Sequence, residues 1–305
     1  VKFQTFKAEN LVTKTAKKAD YQKSNLNNKE ETQFNMLKKL ELSEKNHIEL
    51  INYCYKKNIK FFSTAFDVEG LDYLNSLNLD FFKIPSGEIT NYPYLIKVSE
   101  FRKPVILSTG MANMNEIKDA LNIITSENIS INDVVVLHCN TAYPTSLADV
   151  NLKAMLSIKN KFKVNVGYSD HTLGIEVPIA AVALGAKIIE KHFTINRNLK
   201  GPDHAASLEP DELKLMIKSI RKVEIACSGS GKKEPSKDEI KNIYTARKSI
   251  HVIRDMKIGD IIKQEDLVAL RPNSGINPME WNNIIGRKLK QNLDSIQPLS
   301  WDHII

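Results

Sequence analysis

The sequence predicts an α/β chain built on parallel strands: a (β/α)8 TIM barrel lacking its first strand–helix unit, followed by a small, mostly β module. Three observations carry that expectation. Short apolar runs recur over residues 1–227, separated by segments of helical period. The runs are largely continuous rather than strictly alternating, as strands covered on both faces require. Nearly every run ends in polar or charged residues, and in a parallel barrel all strand ends of one sense meet on one face.

Taken in order, Val1-Lys2-Phe3-Gln4-Thr5-Phe6 alternates as a strand with Lys2 and Gln4 on one face. The chain thus opens on a strand in full stride, and the expectation is that a further unit belongs before it. A polar, lysine-rich loop spans Lys7 to about Lys29. A helix is predicted over Glu30–Lys57, with Leu37, Leu40, Ile48, Leu50 and Ile51 on its apolar stripe. Further strands are read at Lys60–Ala65, Phe81–Glu88, Pro104–Gly110, Val134–Cys139, Val164–Ser169 and Ala186–His192. Helices such as Asn115–Ile124 and Gly174–Leu184 lie between them, making about seven units, one short of a closed barrel.

Pro210–Cys227 is a helix that closes this domain, with Asp211 and Glu212 near its start suiting the helix dipole. Residues 228–246 are a linker and short helix: Ser228-Gly229-Ser230-Gly231 breaks the chain, and Ser236 with Glu239 forms a capping box. Residues 247–305 change grammar. Strands at Ser249–Ile253 and Val268–Pro272 flank a turn at Met256–Asp260, with a helical turn at Glu280–Ile285 and extended chain over Lys288–Leu299.

The net charge of +7 suits anionic partners. Without an arginine-rich arm or a basic run interleaved with aromatics, nucleic acid is not expected. No apolar stretch is long enough to span a bilayer, so no membrane association is expected. No secretory signal pattern appears, and Cys54, Cys139 and Cys227 are an odd count in no metal spacing, so a cytoplasmic protein is expected.

The strand tips carry the chemistry. Lys2 and Gln4, Ser63 and Thr64, Lys83, Ser86 and Glu88, Ser108 and Thr109, Thr141 and Tyr143, Ser169 and His171, and Glu190 and His192 lie in or just after predicted strands. Lysines and hydroxyls on one face form a cradle for phosphate and carboxylate. An interior ion pair and a Schiff base are the other readings of Lys2 and Lys83. Two neutral imidazoles, His171 and His192, suit a divalent metal, while each alone also reads as a hydrogen-bonded, half-buried residue. Glu88 is placed to shuttle a proton or orient a sugar hydroxyl, or simply to cap a helix. Glu190 either shares the inner face with His192 or orients an imidazole. Asp203 follows Gly201-Pro202 in a loop over the same face, and His204 beside it is a further imidazole.

These stretches resemble the sialic acid synthase family, the N-acetylneuraminate, legionaminate and pseudaminate synthases. The matching segments are Val1–Gln4, Lys83–Glu88, Ile106–Met111, Leu137–Cys139 through Tyr143-Pro144, Gly167–Gly174, Glu190–Thr194 and Gly201–His204. Arg271-Pro272 and Gly275-Ile276 resemble the antifreeze-like SAF domain of the same family.

The resemblance implies a barrel that condenses phosphoenolpyruvate with an open-chain, N-acetylmannosamine-type aminosugar, with Lys2, Lys83 and Glu88 as the catalytic set. It implies that Lys2, Thr64, Lys83, Ser86, Ser108 and Ser169 hold phosphoenolpyruvate. His171 and His192 would bind manganese or magnesium, and Gln4, Glu88, Tyr143 and Asp203 would position the sugar. Arg271 would reach into the partner subunit's barrel in a domain-swapped homodimer. Some members place an asparagine where Thr141 stands, and the family's first strand carries a glutamate near the metal. Two other readings stand beside this one: a Schiff-base aldolase on the same barrel, and an inactive sugar-binding homologue lacking the first strand.

Overall fold

The structure, a computed structural model, describes residues 1–25 and 31–305. It divides into two compact units, Val1–Gly229 and Ser230–Ile305.

The first unit strings seven parallel strands along the chain: β1 Lys2–Thr5, β2 Phe62–Ala65, β3 Phe82–Ile84, β4 Val105–Ser108, β5 Val134–Cys139, β6 Asn165–Asp170 and β7 Ile189–Lys191. β1 pairs with β2, and β3 to β7 pair in sequence order as a five-stranded sheet. Helices occupy the crossovers, among them Val68–Ser76, Tyr92–Glu100, Met114–Ile124, Lys153–Phe162 and Glu176–Ala183. In a flat sheet β1 and β7 would lie six spacings of about 4.8 Å apart, roughly 29 Å. Instead the Lys2 ammonium on β1 meets the Glu190 carboxylate on β7. The strand series is therefore curled.

Alternation along each strand separates core from site. Phe82, Ile84, Val105, Leu107, Val134, Val136, Val166 and Tyr168 pack outward with Leu71, Leu74, Leu95, Ile117, Leu121 and Met155 of the helices. Each such buried side chain contributes about 2 kcal/mol. The intervening positions, Lys83, Ser108 and Ser169, face the inside of the curl.

The region between β1 and β2 departs from expectation. The loop after β1 contains two short helices, Ala8–Leu11 and Asp20–Asn25. The long helix expected over Glu30–Lys57 is two, Gln33–Lys38 and Glu44–Lys56; Glu30 and the loop positions 26–29 lie outside the described residues. The break is local chemistry. Asn46 N–H donates to Ser43 Oγ at 3.2 Å and Ser43 N–H to Asn46 Oδ1 at 3.1 Å, a reciprocal cap that starts a new helix. Leu40 and Ile48, assigned to an apolar stripe, are exposed. The second helix is anchored instead by buried His47, whose Nε2 lies 2.8 Å from Thr5 Oγ1, itself 2.7 Å from Ser63 Oγ.

Pro210–Cys227 is a helix as expected, and Ser236 caps the helix Lys237–Ala246 with Glu239 in reciprocal position. In the second unit β8 Ser249–Val252 pairs antiparallel with β9 Leu267–Leu270. Ile250, Val252, Met256, Ile262, Leu289, Leu293 and Leu299 form its core. Residues 288–299 contribute isolated bridges, such as Met256 with Leu293. Asp266 is buried; its Oδ1 accepts from Arg254 Nε at 2.7 Å and its Oδ2 from Lys263 N–H at 3.0 Å. Burial pushes this carboxyl up, but Arg254 and the Lys263 N–H outweigh burial and hold it below its ordinary value. Asp266→Ala therefore removes two bonds to a buried anion and should destabilise the second unit by about 2 kcal/mol, read as a lower denaturation midpoint; an unchanged midpoint would show the pair to be idle.

Candidate functional site

Inside the curl lies a cavity of about 420 Å³. Strand tips furnish one side: Lys2 and Gln4 from β1, Thr64 from β2, Lys83 from β3 with Ser86 just after it, Ser108 from β4, and Ser169 and Glu190 from β6 and β7. Residues beyond the strands, Thr141, Tyr143, His171, His192 and Asp203, complete the polar wall. Register explains the convergence: Gln4 pairs with Thr64, and Cys139, Ser169 and Glu190 form one row across β5, β6 and β7.

The charged centre is a trio. Glu190 ion-pairs with Lys2 through Oε1, while its Oε2 lies 3.2 Å from Lys83 Nζ. Burial alone would raise the Glu190 carboxyl, but the two ammoniums overcome it and hold the group far below the usual carboxylate range. Burial, reinforced by Lys2, pulls Lys83 below its ordinary value, and Glu190 opposes that shift. Glu190 is thus an anion bridging two cations. Thr64 Oγ1 and Ser108 Oγ are buried on the same wall without a hydrogen-bond partner among the described residues. Ser86 Oγ accepts from Gly110 N–H at 3.0 Å and lies 3.2 Å from Cys139 Sγ. A Cβ on Gly110 would come within 2.8 Å of Ser86 Oγ and 2.6 Å of Thr141 Cγ2, so only glycine leaves this cradle open.

Across the cavity the rings of His171 and His192 stand 5.3 Å apart at 72°. Tyr143 packs against both, at 4.2 and 5.7 Å. His171 Nδ1 lies 2.5 Å from the Asn140 carbonyl. A carbonyl only accepts, so Nδ1 carries the proton and Nε2 keeps a free lone pair. Burial lowers both imidazoles, His192 to about 4, where His171 and Lys2 add to the effect. Both rings are therefore neutral near pH 7, as metal ligation demands. Asp203 Oδ2 lies 3.8 Å from His192 Nδ1, and its Oδ1 is buried without a hydrogen-bond partner among the described residues. Among the described residues no group of three or more His, Cys, Asp or Glu side chains forms a metal cluster. Two neutral imidazoles with an unengaged nitrogen, facing a cavity open to substrate oxygens, still fit a divalent cation as a partial donor set.

Of the site residues the family resemblance implies, all but Glu88 and Arg271 line this cavity; of the other strand-tip hydroxyls, Ser63 turns instead to Thr5 Oγ1, and Thr109 Oγ1 donates to the Leu137 carbonyl. Glu88 lies in the 3-10 turn Ser86–Glu88 and lines a neighbouring hollow with Asp67, Glu69 and Asn91, where Asn91 Nδ2 donates to it at 2.5 Å. Burial raises its carboxyl. Arg271 belongs to the second unit. His204 turns to Thr194 Oγ1, 2.8 Å away. Sequence reasoning missed the side of the cavity built by the segment after β1. Tyr21, Gln22 and Gln33 lie there with apolar Leu11, Val12, Met36 and Leu37. Tyr21 packs against Tyr143 at 4.8 Å with the rings tilted by 33°, and burial, with Asp203 nearby, pushes its hydroxyl up to about 12. Nothing in a lysine-rich loop signals that contact.

The NeuB family profile matches residues 1–233 and the SAF domain profile residues 247–305. The N,N'-diacetyllegionaminic acid synthase of Campylobacter jejuni subsp. jejuni is 50% identical over 292 residues, covering 96% of this chain and 87% of that protein. The enzyme of the same name from Legionella pneumophila subsp. pneumophila is 48% identical over 306 residues, 100% of this chain and 85% of that one. The crystal structure of N-acetylneuraminic acid (sialic acid) synthetase from Leptospira borgpetersenii serovar Hardjo-bovis, in complex with citrate, matches with a TM-score of 0.68 and 35% identity over 79% of this chain and 78% of that one.

The depressed imidazoles set a pH dependence. Between the ordinary value of 6.5 and about 4, the unfolded chain binds a proton at His192 that the folded chain does not. Stability from this group is therefore present above about pH 6.5 and lost as pH falls toward 4. His192→Gln should lose less stability than the wild type over that interval in metal-free denaturant titrations; parallel losses would mean the imidazole is not held neutral.

Proposed function

The chain belongs to the NeuB family, and we propose that it condenses phosphoenolpyruvate with an N-acetylated aminosugar, giving a nonulosonic acid and phosphate. The relatives at 50% and 48% identity are named for an N,N'-diacetylated product, so the sugar proposed is a diacetamido aminosugar. The observation that carries the reading is the cradle: Lys2 and Lys83 stand beside the buried, unpartnered hydroxyls of Thr64 and Ser108 on one wall of the cavity.

In this reading Lys2 and Lys83 neutralise the carboxylate and phosphate of phosphoenolpyruvate, and Thr64, Ser86, Ser108 and Ser169 supply directed hydrogen bonds. Gln4, Tyr143 and Asp203 orient the open-chain sugar. His171 and His192 would hold a divalent cation such as manganese or magnesium, which when bound supplies Lewis-acid polarisation of the sugar aldehyde. The methylene carbon of phosphoenolpyruvate forms the new C–C bond to the aldehyde carbon. Water adds at the enol carbon, the C–O bond to phosphate breaks, and phosphate leaves. The two ammoniums and the hydroxyls offset charge on the departing group. A Schiff base would need Lys2 or Lys83 as a free amine; burial pulls Lys83 in that direction, while the pairing of both lysines with Glu190 opposes it.

The seven parallel strands are read as part of a β/α barrel, and the protein as a cytoplasmic homodimer in which Arg271 of one copy reaches the sugar in the other's cavity. Arg271 is exposed beside β9 and makes no hydrogen bond or ion pair among the described residues, which leaves its guanidinium available. No helix among the described residues is long and apolar enough to cross a membrane.

Phosphate release from phosphoenolpyruvate, assayed with manganese and a panel of N-acetylated sugars, should require both substrates and be fastest with a diacetamido sugar. His171→Ala should abolish it. Sugar binding without phosphate release in the wild type would favour a non-catalytic binding protein instead. Losing a charged hydrogen bond costs about 1.5–3 kcal/mol, so Arg271→Ala should raise the sugar KM roughly 10-fold or more while that for phosphoenolpyruvate changes little. Equal effects on both would remove the arginine arm.

A further inference from the structure

β7 has a second face. Glu190 and His192 point into the cavity, and Lys191 between them points the other way, where its side chain is 3% exposed. Its ammonium donates to Asp170 Oδ2 at 2.5 Å and to the Thr172 carbonyl. The other oxygen of Asp170 accepts from Thr172 N–H at 2.9 Å. One buried cation from the residue preceding His192 thus grips both residues that flank His171. The ladder makes this position special. Asp170 and Lys191 are the last paired residues of β6 and β7, and both imidazoles lie just past that rung. Among the described residues no backbone pairing between the two strands continues past that rung to fix one ring against the other. The remaining hydrogen bonds on His171, from the Thr145 N–H to its carbonyl at 2.9 Å and from its Nδ1 to Asn140, come from the β5 side and do not reach β7; beyond them only the Tyr143 ring, packed on both imidazoles, spans the pair among the described residues.

We propose that Lys191, through Asp170 and Thr172, is a positioning residue that sets the spacing of His171 and His192 for a divalent cation. The side-chain bridge takes over where the ladder stops. The inference rests on the reading of the two histidines as cation ligands, and the test separates the two.

Mn2+ binding to the full chain is measured by electron paramagnetic resonance of free Mn2+, alongside thermal unfolding, for the wild type, Lys191→Met and Lys191→Met/Asp170→Asn. The single variant leaves a buried carboxylate unpaired and should be the less stable of the two. The double variant removes both charges and should fold with a midpoint near the wild type, yet bind Mn2+ about 10–100-fold more weakly, the range for partners that orient a ligating imidazole. A folded double variant with wild-type affinity overturns the inference and leaves the cation reading standing. A double variant that does not fold also overturns it, because the pair would then be a requirement of the fold. A wild-type chain that takes up no Mn2+ brings down the cation reading, and this inference with it.

Discussion

One carboxylate between two ammoniums holds the site in shape. Glu190 joins the first strand of the series, the third and the last, through Lys2 and Lys83. Each of these charges is costly to take from water and repays that cost only with good geometry and a close partner. The trio supplies both, and it can form only if the strands curl far enough to bring β1 beside β7. Curvature and charge therefore enforce each other. The trio carries one more positive than negative charge, so the wall it forms favours an anion, while the Asp203 carboxylate stands apart from it near His192.

That logic extends outward by alternation. The same short strands that expose Lys83, Ser108 and Ser169 to the cavity turn Phe82, Leu107 and Tyr168 into the helix layer. A one-residue slip in register would bury the amine among aliphatic side chains and open an aromatic ring to the cavity. The apolar core and the polar cradle are two readings of one pattern, so the site inherits the rigidity of the core.

Much of this was legible in the sequence because strand tips obey a short-range rule: an apolar run followed by polar residues of period two marks both a strand and what it presents. Lys2, Lys83, Ser108, Ser169, His171 and His192 were found that way. Glu88 shows where the rule ends. It follows Ser86 by two residues, but the intervening backbone is a 3-10 turn, with three residues per turn. Two positions there differ by about 240°, so the hydroxyl faces the cavity and the carboxylate the neighbouring hollow. Lys191 was hidden by its company, because a basic residue between two site residues looks like a solvated neighbour until the sheet buries it against Asp170. The break of the helix near Ser43 was written locally, in Ser43 and Asn46, but the surrounding apolar residues suggested continuity. Tyr21 and Gln33 were illegible for a different reason: their approach to the cavity is purely tertiary.

This last group separates two tasks. The strand tips and the residues just after them supply both ammoniums, the Glu190 carboxylate and both imidazoles, and the loop after β7 adds the Asp203 carboxylate. The segment between β1 and β2 supplies amide and phenol groups and an apolar surface from Leu11, Val12, Met36 and Leu37. The strand tips are bound to core packing and register and tolerate little change. The β1–β2 segment is a connection, held by caps and a few contacts, and connections vary more freely than the elements they join. Anion cradle and imidazole pair are thus fixed by the curl, while the facing amide, phenol and apolar wall is carried by a connection. On the function proposed above, substitutions in that one connection would alter the choice of sugar while the chemistry stays with the strand tips.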